Sequence, residues 1–178
     1  MDRVERVELR TVEELMAVLH ACRGAWGAPG RGGARVDLHD HALQTAALLR
    51  RGRPSDKELQ VAGLVHALGP LLDPGGDVGV ANAVRGLLGE RVARLVRLNE
   101  AARRYVAALE PVRGLPARGA MPAHEIAAFA SDPLAEDALA LRQAADAAWV
   151  AGMDAGVMED WRPVLELVAA RRTTAVRR

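Results

Sequence analysis

The sequence predicts an all-α fold, and three observations carry that prediction. Apolar residues recur at helical spacing through most of the chain, no segment alternates apolar and polar residues as a half-buried strand does, and only one Tyr and one Phe are present. Half of the 178 residues are apolar and 26% are charged, which suits one domain with a sizeable core better than two. The expected organisation is a single domain over 1–178, with a core of about 10–150, a C-terminal helix over 160–172 and a basic tail.

The elements follow in order. Thr11-Val-Glu-Glu14 has the spacing of a capping box and opens a helix whose Val12, Leu15, Met16 and Leu19 share a face until Gly24. Gly24 to Gly33 is rich in glycine and reads as a loop. A second helix starts near Asp37, carries His41, Gln44, Thr45 and Leu48 on one flank, and stops at Gly52. Ser55-Asp-Lys-Glu58 is a second capping box, and its helix should reach Leu68 and close at Gly69-Pro70. After the Asp73–Asp77 turn, a short helix covers Val80 to Leu88 and a longer one runs from Glu90 toward Glu110. Pro111 to Pro122 reads as loop. Pro122 and Pro133 suit first helical turns, the latter with Asp132 as N-cap, giving helices through Ala130 and through about Val150. The last helix spans Asp160 to Arg172.

Composition narrows function. The formal net charge is +1, so no overall field selects nucleic acid or an acidic membrane surface. Lys57 is the only lysine, and the Arg, Ala, Gly and Val enrichment matches the codon bias of a high-GC bacterial genome. The sole cysteine, Cys22, excludes an intrachain disulfide and any multi-thiolate metal site. Met-Asp-Arg-Val-Glu-Arg at the start has no apolar signal-peptide core, so the expectation is a soluble cytoplasmic protein without a membrane or nucleic-acid partner. Gly30-Arg-Gly-Gly33 lacks the Lys-Ser/Thr ending of a phosphate loop, and no Gly-x-Ser-x-Gly elbow occurs. The Arg171-Arg172 to Arg177-Arg178 tail has the charge of a nucleic-acid arm without its stacking residues, and reads as a solvated terminus.

One segment stands out chemically. Leu64-Val-His66-Ala67-Leu-Gly69-Pro70 has the outline of a His-Asp doublet whose second member is an alanine, a side chain with no lone pair to offer a cation. Four other fragments lie in a matching order: Arg31-Gly-Gly33, Asp40-His41-Ala-Leu-Gln-Thr-Ala46, Leu98-Asn99-Glu-Ala-Ala-Arg103-Arg-Tyr105, and Leu141-Arg142 followed by Asp146-Ala-Ala. From about residue 10 to 150 the chain resembles the HD-domain superfamily, in particular the small HD-domain diiron oxygenases that cleave organophosphonates, and more distantly inositol oxygenase. The resemblance implies an HD-domain helical bundle.

It also implies a lost metal centre. His41 and His66 match two family ligands, whereas Ala67, Pro70, Asn99 and Ala145 stand where others are expected, and Asp146 matches a neighbouring aspartate. His41, His66 and Asp146 would make at most a facial triad for one ferrous ion, so no metal and no cofactor is the expectation. The family's substrate contacts are altered too: Arg31 replaces a tyrosine, Ala34 an acidic residue, Arg103 a lysine, and Ala117-Arg118-Gly119-Ala120-Met121 a polar anion-binding segment. Arg113 could join Arg31 and Arg118 in a new anion clamp.

The candidate residues are therefore His41 and His66 for acid-base chemistry, and Arg103, Asn99, Arg31, Arg118 and Gln44 for ligand binding. Against them stands a plainer reading, in which His41 and His66 are hydrogen-bonded core histidines and Arg103 pairs with Glu100 or Glu110. Asn99 and Arg103, four apart on one helix, should face one cavity, while His39 and Asp40 should face the surface. His20 and His124 should be exposed, Cys22 buried, and Trp149 and Trp161 engaged in helix packing. Three functions fit: a metal-free auxiliary subunit docking a protein partner in small-molecule biosynthesis, a metal-independent enzyme acting on a small anionic metabolite, or a small-molecule binding protein.

Overall fold

The computed structural model describes residues 7–26, 36–72, 76–109 and 121–176, and among them the fold is an all-α bundle without a sheet. Its helices are α1 (Val12–Ala21), α2 (Leu38–Gly52), α3 (Lys57–Val65), α4 (Gly69–Leu72), α5 (Asp77–Leu88), α6 (Glu90–Leu109), α7 (Ala123–Ala130), α8 (Ala135–Ala147) and α9 (Arg162–Val176). Arg31, Arg113, Arg118 and Glu110, named above as candidates or partners, lie outside the described residues.

Capping chemistry sets several boundaries. Thr11 accepts from Glu14 N at 3.1 Å while the Glu14 carboxylate accepts from Thr11 N, the reciprocal bonds of a capping box. Asp37 caps α2 by accepting from Asp40 N at 2.9 Å, and its other oxygen accepts from Gly24 N at 2.8 Å, which ties the end of α1 to the start of α2.

Three expectations need correction. The cap of α3 is Asp56, which accepts from Leu59 N at 3.0 Å, so the helix starts later than a Ser55 cap would set it. Gly69-Pro70 does not stop the chain's helical path: a tight 3-10 turn spans His66–Leu68 and α4 follows. Pro70 has no N–H to bond the His66 carbonyl four residues back and its ring would crowd it, so the path tightens there and restarts with Pro70 in the first turn. Likewise α8 begins only at Ala135, because Asp132 uses its carboxylate to hold Leu134 N in a turn, at 2.8 Å, and it ends at Ala147 rather than near Val150. Residues 148–157 then leave the helical path as an irregular strap.

The main core joins α1, α2, α3, α5 and part of α6, closed by Leu141, Met158, Trp161, Leu165 and Val168. α6 runs along α5 and α8, and α2 packs between α3 and α8. Gly63 permits the α2–α3 approach: a Cβ there would lie 2.5 Å from Leu49 Cδ1 and 3.3 Å from Thr45 Cγ2. A smaller cluster of Ala102, Met121, Phe129, Ala135 and Ala138 packs the far half of α6 on α7 and α8, with Tyr105 and Phe129 rings 4.8 Å apart.

An ion network pins α3 to α6 and α8. Arg91 donates to both oxygens of Asp56 at 2.8 Å and to Asp137 at 2.8 Å, while Arg53 binds Asp137 and Glu136. Burial is the largest single effect on the Asp56 carboxyl and pushes it up, but the Arg91 bonds, the Leu59 N–H and the charges of Arg91 and Arg53 together hold its pKa below the ordinary value.

Candidate functional site

α2 and the 3-10 turn place His41 and His66 together near the middle of the bundle, 3% and 7% exposed. Their Nε2 atoms are 3.1 Å apart. His41 Nδ1 lies 2.9 Å from the Ala148 carbonyl oxygen, and His66 Nδ1 lies 2.7 Å from that of Gly63. The carbonyls only accept, so three short contacts require three N–H groups, whereas two neutral imidazoles carry two. The neutral pair is one proton short, with its Nε2 lone pairs opposed when both Nδ1 atoms donate.

Burial opposes the missing proton. Desolvation is the largest effect on both rings; it lowers the His41 pKa and takes His66 down to about 3. The Arg142 guanidinium adds to the depression of both, and His41 itself adds to that of His66. The pair is thus held neutral near pH 7 in a geometry that a proton would complete.

Arg142, which the motif contains but to which it assigns no role, completes the surroundings of the pair. Its side chain is 14% exposed; it donates to Asp146 at 2.6 Å and to Asn99 Oδ1 at 3.4 Å, while Nε is buried without a hydrogen-bond partner among the described residues. Asn99, buried on α6, passes the contact on by donating to Asp77 at 3.4 Å. Burial raises the Asp77 pKa. Asp77, Asn99, Arg142 and Asp146 therefore form one polar chain across α5, α6 and α8, beside the histidines. An arginine four residues after the inward Ala138 and one turn before the inward Ala145 was the available sequence signal.

Other candidates are placed differently. Arg103 does not turn inward with Asn99; its side chain is 58% exposed and bound to Glu100, with Nε at 2.8 Å. Gln44 is buried, and its amide is consumed by one backbone unit: Nε2 donates to Val150 O at 2.9 Å and Oε1 accepts from Val150 N at 3.1 Å. That clamp, with the His41 bond to Ala148, sets the strap so that the Trp149 ring lies on His41, centroids 3.9 Å apart and planes 18° from parallel. His39 is buried rather than superficial, stacked on His20 with Nδ1 3.2 Å from Asp40, while His20 meets Glu159 at 3.1 Å. Cys22 is buried, and desolvation, with the Asp37 charge, pushes its thiol up to about 11, so it is no thiolate nucleophile at neutral pH.

The side chains present do not fit a two-iron centre. Opposed Nε2 atoms with Nδ1 held by carbonyls are suitable imidazole donors, but the set ends there. Ala67 and Ala145 offer methyl groups, Asn99 is engaged by Arg142 and Asp77, and Asp146 is exposed and bound to Arg142. Among the described residues, the one group of three close ligand-type side chains is Asp37, His39 and Asp40, elsewhere on α2, where both Asp37 oxygens already accept backbone N–H groups.

No protein-family model matches the chain, and no curated protein matches it. No helix among the described residues is long and apolar enough to cross a membrane.

Proposed function

We propose that this chain is a degenerate HD-domain protein of the branch that resembles the organophosphonate diiron oxygenases, acting without metal as an auxiliary subunit in small-molecule biosynthesis in the bacterial cytoplasm. The observation that carries the reading is Arg142. Its guanidinium sits beside the two retained histidines and bonds Asn99 and Asp146, so a fixed cation of the chain itself neutralises carboxylates around the former ligand positions. Trp149 covers His41 on the outer side. Both features argue against metal chemistry at the pair, and docking to a protein partner is the role we propose for the bundle that remains. Co-expression with the products of neighbouring genes, followed by size-exclusion chromatography with light scattering, tests this. A stoichiometric complex supports the reading, and a stable monomer active by itself contradicts it.

A second reading is favoured by the proton-short histidine pair. Two Nε2 atoms fixed at 3.1 Å would take a proton from a small anionic metabolite and return it, with the Arg142 guanidinium as counter-charge to the metabolite's anion. Under this reading the chain catalyses an elimination, cyclisation or hydrolysis without metal. His41→Ala and His66→Ala would then each lower turnover by on the order of a hundredfold while the fold persists.

A further inference from the structure

The strap of residues 148–157 runs between α8 and the buried Met158 without regular secondary structure. Of its ten residues only Ala148 is buried. Trp149 is half-buried, and Val150 and Val157 are 49% and 56% exposed. Gly152 and Gly156 take φ values of +72° and +80°, in the left-handed region that glycine enters most easily. Internal bonds, Met153 N to Val150 O and Gly156 N to the Asp154 carboxylate, hold the strap to itself.

Its bonds to α2 come from two side chains. Gln44 grips Val150 by both its N–H and its carbonyl oxygen, and His41 Nδ1 meets Ala148 O. The Trp149 ring lies flat on His41 in between. A segment with little buried surface, anchored by α8 before it and by the buried Met158 and Trp161 after it, belongs at the low end of local stability.

We infer that the strap opens as a unit with Gln44 as its latch, and that this opening is the route by which small molecules reach the His41–His66 pair. Lifting Trp149 uncovers one face of His41 and frees the Ala148 carbonyl from Nδ1. The rest of the bundle stays in place, because Thr45 bonds the His41 carbonyl within α2 and Gly63 holds His66 independently of the strap. The inference depends on neither function proposed above, since it concerns access alone.

The test uses the intact protein and diethyl pyrocarbonate, which acylates neutral imidazole, with each histidine followed by peptide mass spectrometry and the exposed His124 as internal standard. In the wild type His41 should react far more slowly than His124. Gln44→Met removes both latch bonds at similar volume and should accelerate His41 by about tenfold or more. Trp149→Ala should do the same, with helicity retained. Equal His41 rates in the wild type and both variants, or a wild-type His41 as reactive as His124, overturn the inference. If a variant fails to fold, hydrogen exchange in the wild type decides. The Val150 amide should exchange at least tenfold faster than core amides of α2 such as that of Thr45, and exchange at the same rate would show that the strap opens only when the whole bundle does.

Discussion

His41 and His66 face each other through Nε2 atoms 3.1 Å apart while the Ala148 and Gly63 carbonyls hold their Nδ1 atoms, so the neutral pair has one N–H too few for its contacts. Burial nevertheless keeps the proton out. That opposition governs the acid behaviour of the fold.

Stability should fall with pH through the window between the unfolded and folded pKa values of His66, about 6.5 and about 3. Above the window neither state binds the proton. Within it the unfolded chain binds a proton that the folded chain excludes, so acid favours unfolding by at most about 1.4 kcal/mol per pH unit for that group. His41, also depressed, adds to the slope. Urea unfolding at a series of pH values measures it, and His66→Asn should flatten the curve. A flat wild-type curve between pH 6.5 and 4 would refute the account of the pair.

Arg142 lowers the pKa of both histidines and bonds Asn99 and Asp146. Arg142→Met should therefore raise both histidine pKa values and reduce stability by about 2 kcal/mol, as Asn99 and Asp146 lose a charged donor. Ring-carbon NMR titration of the five histidines reads the shift. Unmoved values for His41 and His66 would remove Arg142 from the cluster.

The Arg91 network makes a separate claim. Arg91→Ala leaves Asp56 and Asp137 without their shared partner and should cost about 2–3 kcal/mol by thermal or chemical unfolding. In the wild type the lowered Asp56 pKa gives stability that is present above its unfolded value, near 4, and lost as pH falls through the folded one. The variant should lose that step below pH 4.

Gly63→Ala should destabilise by about 1–2 kcal/mol, since its methyl would force Leu49 and Thr45 aside in a packed interface. The crystal structure of the variant should show Leu49 in a new rotamer. An unchanged melting temperature would mean that α2 and α3 separate more readily than their packing suggests.

How much of this was legible in the sequence depends on whether the signal was local. Thr11 with Glu14 and Asp37 announce their helices because a cap is chemistry within four residues. The cap at Asp56 was missed by one position, since Ser55 offers the same chemistry next door. Pro70 hid a tightened turn behind what looked like a stop, and the end of α8 was hidden because Ala147 to Val150 carries no breaker. The bonds that end it reach back more than a hundred residues, to Gln44 and His41. His41 and His66 could be paired by resemblance, but Arg142 could not be seen as their neighbour until α8 was laid against α2 and α6.

The central claim is that a guanidinium, not a metal ion, supplies the positive charge beside His41 and His66. Anaerobic equilibrium dialysis of the purified chain against Fe(II) and Mn(II), with bound metal determined by mass spectrometry, tests it most directly. The account expects substoichiometric metal that is the same in the wild type and in His41→Ala. One or two equivalents bound tightly by the wild type and lost in His41→Ala would contradict it.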